Sequence, residues 1–115
     1  MAKVVVKVTA KFVKDTKKLL TAEDLEELYD YLSENPTVGP IIRVTGGVRK
    51  LRWSPQKSNK GKSGSLRILY HYSNNILVIM LGAFSKSDIE NISEAEKNTL
   101  RKILPKLVEQ LMEDL

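Results

Sequence analysis

Alternation opens the chain. Val4, Val6 and Val8 fall on one side of an extended segment and Val5, Lys7 and Thr9 on the other, a period of two with β-branched residues that predicts a half-buried first strand. The period changes near Lys11. Phe12, Thr16, Leu19 and Leu20 suit a short helix ending near Leu20, and Thr21-Ala22-Glu23-Asp24 forms a capping box with Asp in place of the usual Glu. A second helix follows, with Leu25, Leu28, Tyr29 and Leu32 on one face. Asn35-Pro36 ends it, because the residue before a proline is pushed out of helical geometry. The two helices are expected to form an antiparallel hairpin.

Beyond the turn signals Gly39-Pro40 and Gly46-Gly47, Val48–Trp53 reads as a second strand and Leu66–Tyr72 as a third, separated by a Lys-, Gly- and Ser-rich loop over 54–65. Asn74-Asn75 is a hairpin turn, since Asn tolerates positive φ. The fourth strand, Ile76–Phe84, is apolar throughout apart from Gly82, which places it centrally with both faces covered. Ser93-Glu94-Ala95-Glu96 is a second capping box. Leu100, Ile103, Leu104, Leu107, Val108, Leu111 and Met112 then keep helical spacing, with Pro105 expected to kink the helix or divide it in two. The order β-α-α-β-β-β-α predicts an α+β fold: a twisted antiparallel sheet packed with an N-terminal helical hairpin and a C-terminal helix. At 115 residues the chain is expected to be one domain over 1–115.

Charge changes this picture more than composition does. No Asp or Glu occurs between Asn35 and Ser87, yet that stretch holds Arg43, Arg49, Lys50, Arg52, Lys57, Lys60, Lys62, Arg67 and Lys86. The formal net charge of +5 is therefore concentrated in the middle of the chain, where it creates a field that attracts polyanions. The absence of cysteine excludes disulfides and thiolate metal sites and fits a reducing cytoplasm, and a single histidine, His71, argues against zinc. No metal or other cofactor is expected. The longest apolar run is far short of the roughly 20 residues of a membrane span.

Strand parity sorts the cations. Lys50 and Arg52 share a face with Val48, whereas Arg49, Leu51 and Trp53 share the other. Arg67, Leu69 and His71 share one face of the third strand, and Leu66, Ile68, Tyr70 and Tyr72 the opposite one. If the loop closes a hairpin, Lys50, Arg52 and Arg67 converge, with Lys57, Lys60 and Lys62 in the connecting loop. Trp53, Tyr70 and Tyr72 have two readings, as core residues or as stacking platforms for unpaired bases. Gly61-Lys62-Ser63 is not a phosphate-binding loop: the first glycine of that motif would fall at Gln56, and a strand follows where the motif requires a helix.

The run Thr45-Gly46-Gly47-Val48-Arg49-Lys50-Leu51-Arg52, then Lys60-Gly61-Lys62-Ser63-Gly64, then Arg67-Ile68-Leu69-Tyr70, resembles the HigB-type branch of the RelE toxin superfamily. Asn35-Pro36 and Gly39 upstream agree with this, as do Phe84-Ser85-Lys86, Asn91-Ile92-Ser93 and Glu96 downstream. The resemblance implies a RelE-like fold and the toxin half of a type II toxin–antitoxin pair. Such a toxin enters the 30S A site of the ribosome, cuts mRNA as an endoribonuclease (mRNA interferase) and so inhibits translation. Its partner would be a cognate antitoxin, often with a helix-turn-helix domain. By motif, Lys50 and Arg52 match the basic pair of the second strand, Arg67 the arginine that contacts the scissile phosphate, and Lys86 the basic residue ending the fourth strand. The tyrosine that well-known members carry a few residues later is replaced here by Glu90-Asn91-Ile92, so Tyr70, Lys62 or His71 would have to serve as general acid.

The chemistry fits these residue types. Metal-free cleavage needs the 2′-OH deprotonated, the phosphorane charge stabilised and the 5′-oxygen protonated. With no carboxylate in the basic region, proton transfer falls to Lys or Tyr and charge stabilisation to Arg. Lys50, flanked by Arg49 and Arg52, is the expected base, since neighbouring cations favour the neutral form of a lysine. The expected catalytic set is Lys50, Arg52, Lys62, Arg67, Tyr70 and Lys86, and the expected RNA-binding set is Arg49, Lys57, Lys60 and His71. Two other readings stand beside this one: a ParE-like gyrase-inhibiting toxin of the same fold, and an RNA-binding module without catalysis.

Overall fold

The computed structural model describes residues 4–55, 66–85 and 92–115. Its elements follow the expected order: β1 (Val5–Val8), α1 (Ala10–Thr16), α2 (Ala22–Glu34), β2 (Val48–Trp53), β3 (Leu66–Ser73), β4 (Leu77–Ser85) and α3 (Glu94–Glu113). The strands form one sheet in the spatial order β1-β4-β3-β2. The β2–β3 and β3–β4 pairs are antiparallel, but β1 joins β4 in parallel, Val5 opposite Leu77 and Val8 opposite Met80. The sheet is therefore mixed and not wholly antiparallel as expected. Alternation identifies a strand from its own residues, whereas a partner more than 70 positions away leaves no local trace.

Both capping boxes close. Thr21 Oγ1 accepts the Asp24 N–H and Asp24 Oδ2 accepts the Thr21 N–H, each at 3.0 Å. Ser93 and Glu96 make the same reciprocal pair at the start of α3. α1 is shorter than its pattern suggests. It ends at Thr16, and a turn held by the Leu19 and Leu20 N–H groups on the Thr16 carbonyl carries Leu20 into the core. Pro105 does not divide α3, which runs unbroken from Glu94 to Glu113 with the proline on its exposed side. The Asn74-Asn75 turn has φ of 55° and 58°, both left-handed as a two-residue hairpin requires.

The sheet is covered on both faces. On one, Phe12, Leu20, Leu28 and Leu32 of the α1–α2 region pack on Leu51, Trp53, Ile68, Tyr70, Val78 and Met80. On the other, Leu104 of α3 and Ile92 pack on Val48, Leu69, Leu77, Ile79 and Leu81. β4 lies between the two cores, buried from Leu77 to Ala83 as its apolar run predicts. A bulge interrupts it: Leu69 faces Gly82 and Tyr70 faces Met80, so Leu81 has no partner across on β3. Beyond Met80, where β1 has ended, α1 takes over the edge of β4. Asp15 Oδ2 accepts the Ala83 N–H at 3.0 Å, and Thr9 Oγ1 donates to the Met80 carbonyl at 3.0 Å.

Candidate nucleic-acid interface

The basic face starts from pairing register. Arg52 lies directly opposite Arg67, Lys50 opposite Leu69 and Val48 opposite His71. Because side chains alternate along a strand, these six share the face on which α3 packs. Lys50, Arg52 and Arg67 therefore fall on one side of the sheet, at its end next to residues 54–65. Like charges directly opposite each other in a ladder are destabilising, an arrangement that an anionic ligand relieves.

The two arginines differ in access. Arg52 is exposed and Lys50 half-buried, while Arg67 is only 3% exposed. Both Lys50 and Arg67 interact with other groups of the protein. The resemblance assigns the phosphate contact to Arg67; in this arrangement Arg52 is the member of the pair that meets solvent.

Three other residues stand apart from this cluster, each for a physical reason. Tyr70, expected as a general acid, points into the α1–α2 core and is fully buried. Its hydroxyl accepts the Gly39 N–H at 2.9 Å and donates to the Pro36 carbonyl at 3.0 Å, so its proton is already engaged. Burial pushes the phenol above its ordinary value, against the opposing pull of the Gly39 N–H and the Arg49 charge. Acting as the expected general acid would require Tyr70 to give up its donation to Pro36.

Arg49, expected to bind RNA, lies on the opposite face and donates from Nη1 to the carbonyls of Gly39 (2.8 Å) and Thr37 (3.2 Å). Its task is to hold the 36–42 segment against β2, where the Lys50 N–H also donates to the Pro40 carbonyl at 3.0 Å and Ile41 bridges to Arg49.

His71 does share the basic face, but four residues from Arg67, about 13 Å along the strand. Its Nδ1 sits 2.8 Å from the Gly47 carbonyl, beside a small cavity lined by Arg101, Leu104 and Pro105 of α3. The structure does not bring it to the Arg52–Arg67 end. Trp53 is a core residue, 7% exposed. Lys57, Lys60, Lys62 and Lys86 lie outside the described residues.

Sequence reasoning missed the 36–42 strap, which leaves only Gly39-Pro40 as a signal. It also missed the cations of α1 and the turn after it, although Lys11, Lys14 and Lys18 recur at helical spacing. Among the described residues no group of three or more His, Asp or Glu could hold a metal ion, and no helix is long and apolar enough to cross a membrane.

No protein-family model matches the chain. A solved structure does: the E. coli toxin RelE, determined in the free state as a double arginine-to-alanine mutant, superposes with a TM-score of 0.52 at 17% identity. The match covers 78% of this chain and 90% of that one. The fold is thus the RelE toxin fold.

Proposed function

We propose that this chain, built on the RelE toxin fold, is the toxin of a type II toxin–antitoxin pair and an endoribonuclease that cuts mRNA on the ribosome. The observation that carries this reading is the register that puts exposed Arg52 directly opposite Arg67, with Lys50 two residues away on the same face.

In the proposed reaction Lys50 accepts the proton of a ribose 2′-OH. The freed oxygen attacks the adjacent phosphorus, and the P–O5′ bond breaks to leave a 2′,3′-cyclic phosphate. Arg52 faces the phosphate and stabilises the charge that builds on it. Arg67, buried and directly across the ladder from Arg52, adds a fixed positive charge that needs no reorganisation during the step. The proton returned to O5′ comes from Lys62 or Lys86, the remaining basic candidates, because Tyr70 is committed to Gly39 and Pro36 and His71 is remote. The HigB-like branch, the 30S A site as the place of action, a helix-turn-helix antitoxin and a cytoplasmic location belong to the same proposal.

Induced expression followed by primer extension on translated mRNA tests it. Codon-linked breaks support the nuclease. Growth arrest with intact mRNA and a DNA-damage response supports the gyrase-inhibiting alternative. Salt-sensitive RNA binding without growth arrest supports a plain binding module.

A further inference from the structure

The turn that leads into β2 is strained and pinned from inside. Val44 has a φ of 65°, left-handed for a β-branched residue, and Gly46 and Gly47 follow at 81° and 117°. Thr45 is fully buried; its Oγ1 donates to the Ile42 carbonyl at 2.7 Å and accepts the Val48 N–H at 3.0 Å. The Ile42 N–H donates to the Val48 carbonyl at 2.8 Å, and His71 Nδ1 lies 2.8 Å from the Gly47 carbonyl. Neither the Gly46 nor the Gly47 N–H makes a hydrogen bond among the described residues.

Cations surround these two donors. Gly46 and His71 line a cavity of about 330 Å³ whose far wall is α3, with exposed Arg101 and buried Leu104 in its lining. A Cβ on Gly46 would lie 3.8 Å from the Cα and Cγ of Arg101, so the turn and α3 run close together. Arg101 makes no ion pair among the described residues, and its Nη2 reaches only the Asn98 amide oxygen, at 3.4 Å. Nδ1 of His71 is engaged with Gly47, which leaves Nε2 for a ligand. Among the described residues no carboxylate lines the cavity. Successive N–H groups in a turn whose φ changes sign at Thr45 and again at Gly46, joined by a guanidinium and an imidazole, make a concavity for an anion. Backbone strain held by its surroundings, as at Val44, is a mark of such sites.

The anion follows from the position. His71 shares the sheet face of Lys50, Arg52 and Arg67, four residues and about 13 Å along the strand from Arg67. That is too far to touch the phosphate being cut, but within reach of the strand to which that phosphate belongs. Apart from His71 the lining has no ring on which a base could stack, so the backbone is what the cavity can hold. We propose that the Gly46-Gly47 turn, His71 and Arg101 form a second phosphate site, which takes a phosphodiester of the RNA strand outside the linkage that is cut. The identity of the strand rests on the nuclease reading; the anion chemistry of the turn does not.

The probe is a short single-stranded RNA oligonucleotide titrated into the full chain, with amide shifts read at Gly46 and Gly47 and, separately, at Arg52 and Arg67. The glycine amides are expected to shift. Arg101→Ala, at an exposed position, is expected to weaken binding roughly tenfold and to lower the slope of log affinity against log salt by about 0.7, the value of one phosphate contact on a single strand. His71→Asn keeps a donor for the Gly47 carbonyl and removes Nε2, and should also weaken binding. Both variants should cut saturating ribosome-bound mRNA at the wild-type rate. Glycine amides that do not move, an unchanged salt slope in Arg101→Ala, or an equal shift of the glycines by inorganic phosphate alone would each overturn the proposal. The two readings fail separately. Shifts at Arg52 and Arg67 without shifts at the glycines remove this site and leave the nuclease; shifts at the glycines in a chain that cuts no mRNA remove the nuclease and leave this site.

Discussion

The hydroxyl of Tyr70, on the third strand, accepts the Gly39 N–H at 2.9 Å in a segment 31 residues earlier. It also donates to the Pro36 carbonyl, and Arg49 closes on Gly39 from the second strand at 2.8 Å. Tyr70→Phe keeps the ring but leaves a buried N–H and a carbonyl without this partner. A loss of about 1–3 kcal/mol is expected, read by denaturant unfolding. Hydrogen exchange at the Lys50 amide should speed up, because that N–H bonds Pro40 in the same strap. RNA cleavage by the folded variant should persist, since Tyr70 is not a proton donor in the proposed reaction.

The same burial sets a pH dependence. The Tyr70 phenol is raised by burial above 10.0, and Tyr29 is raised for the same reason. Folding therefore favours the protonated phenols. Their contribution to stability is fully present below the unfolded value and is lost as pH rises through the folded one. Unfolding is expected to ease above about pH 10, and Tyr70→Phe should flatten this alkaline slope. A pH titration of the unfolding midpoint checks it.

Gly39 has no room for a side chain. A Cβ there would lie 3.0 Å from the Lys50 carbonyl oxygen and 3.1 Å from the Tyr70 ring and hydroxyl. The first is backbone and the second is held by two hydrogen bonds, so neither yields cheaply. Gly39→Ala is expected to cost roughly 1–3 kcal/mol, measured by thermal unfolding.

The two arginines on the basic face should separate by experiment. Arg52 is exposed, so Arg52→Ala should weaken RNA binding and cleavage while changing stability by no more than about 0.5 kcal/mol. Arg67 is buried and has interaction partners, so Arg67→Ala should lose activity and destabilise the fold by roughly 1–3 kcal/mol. Unfolding curves run beside cleavage assays distinguish the two.

What could be read in advance follows from the range of the interactions. The caps at Thr21 and Ser93, the Asn74-Asn75 turn, the buried fourth strand and the shared face of Lys50, Arg52 and Arg67 all arise within a few residues or from the period of two. The parallel seat of β1, the bulge at Leu81 and the cap of Asp15 on Ala83 depend on partners far along the chain. Tyr70 is the clearest case. Alternation put it on the right face, but only the fold brings Pro36 and Gly39 to its hydroxyl and turns a candidate acid into a core strut. Arg67 shows the same limit, since register is periodic and burial is not.

The central claim is that Lys50 takes part in bond breaking and does more than hold RNA. The most direct measurement is single-turnover cleavage of ribosome-bound mRNA by Lys50→Ala beside the affinity of the same variant for the programmed ribosome. A base contributes about 10²–10⁴-fold to rate, so cleavage should fall by that order while affinity changes little. Cleavage and affinity falling together, or cleavage unchanged, would contradict the account.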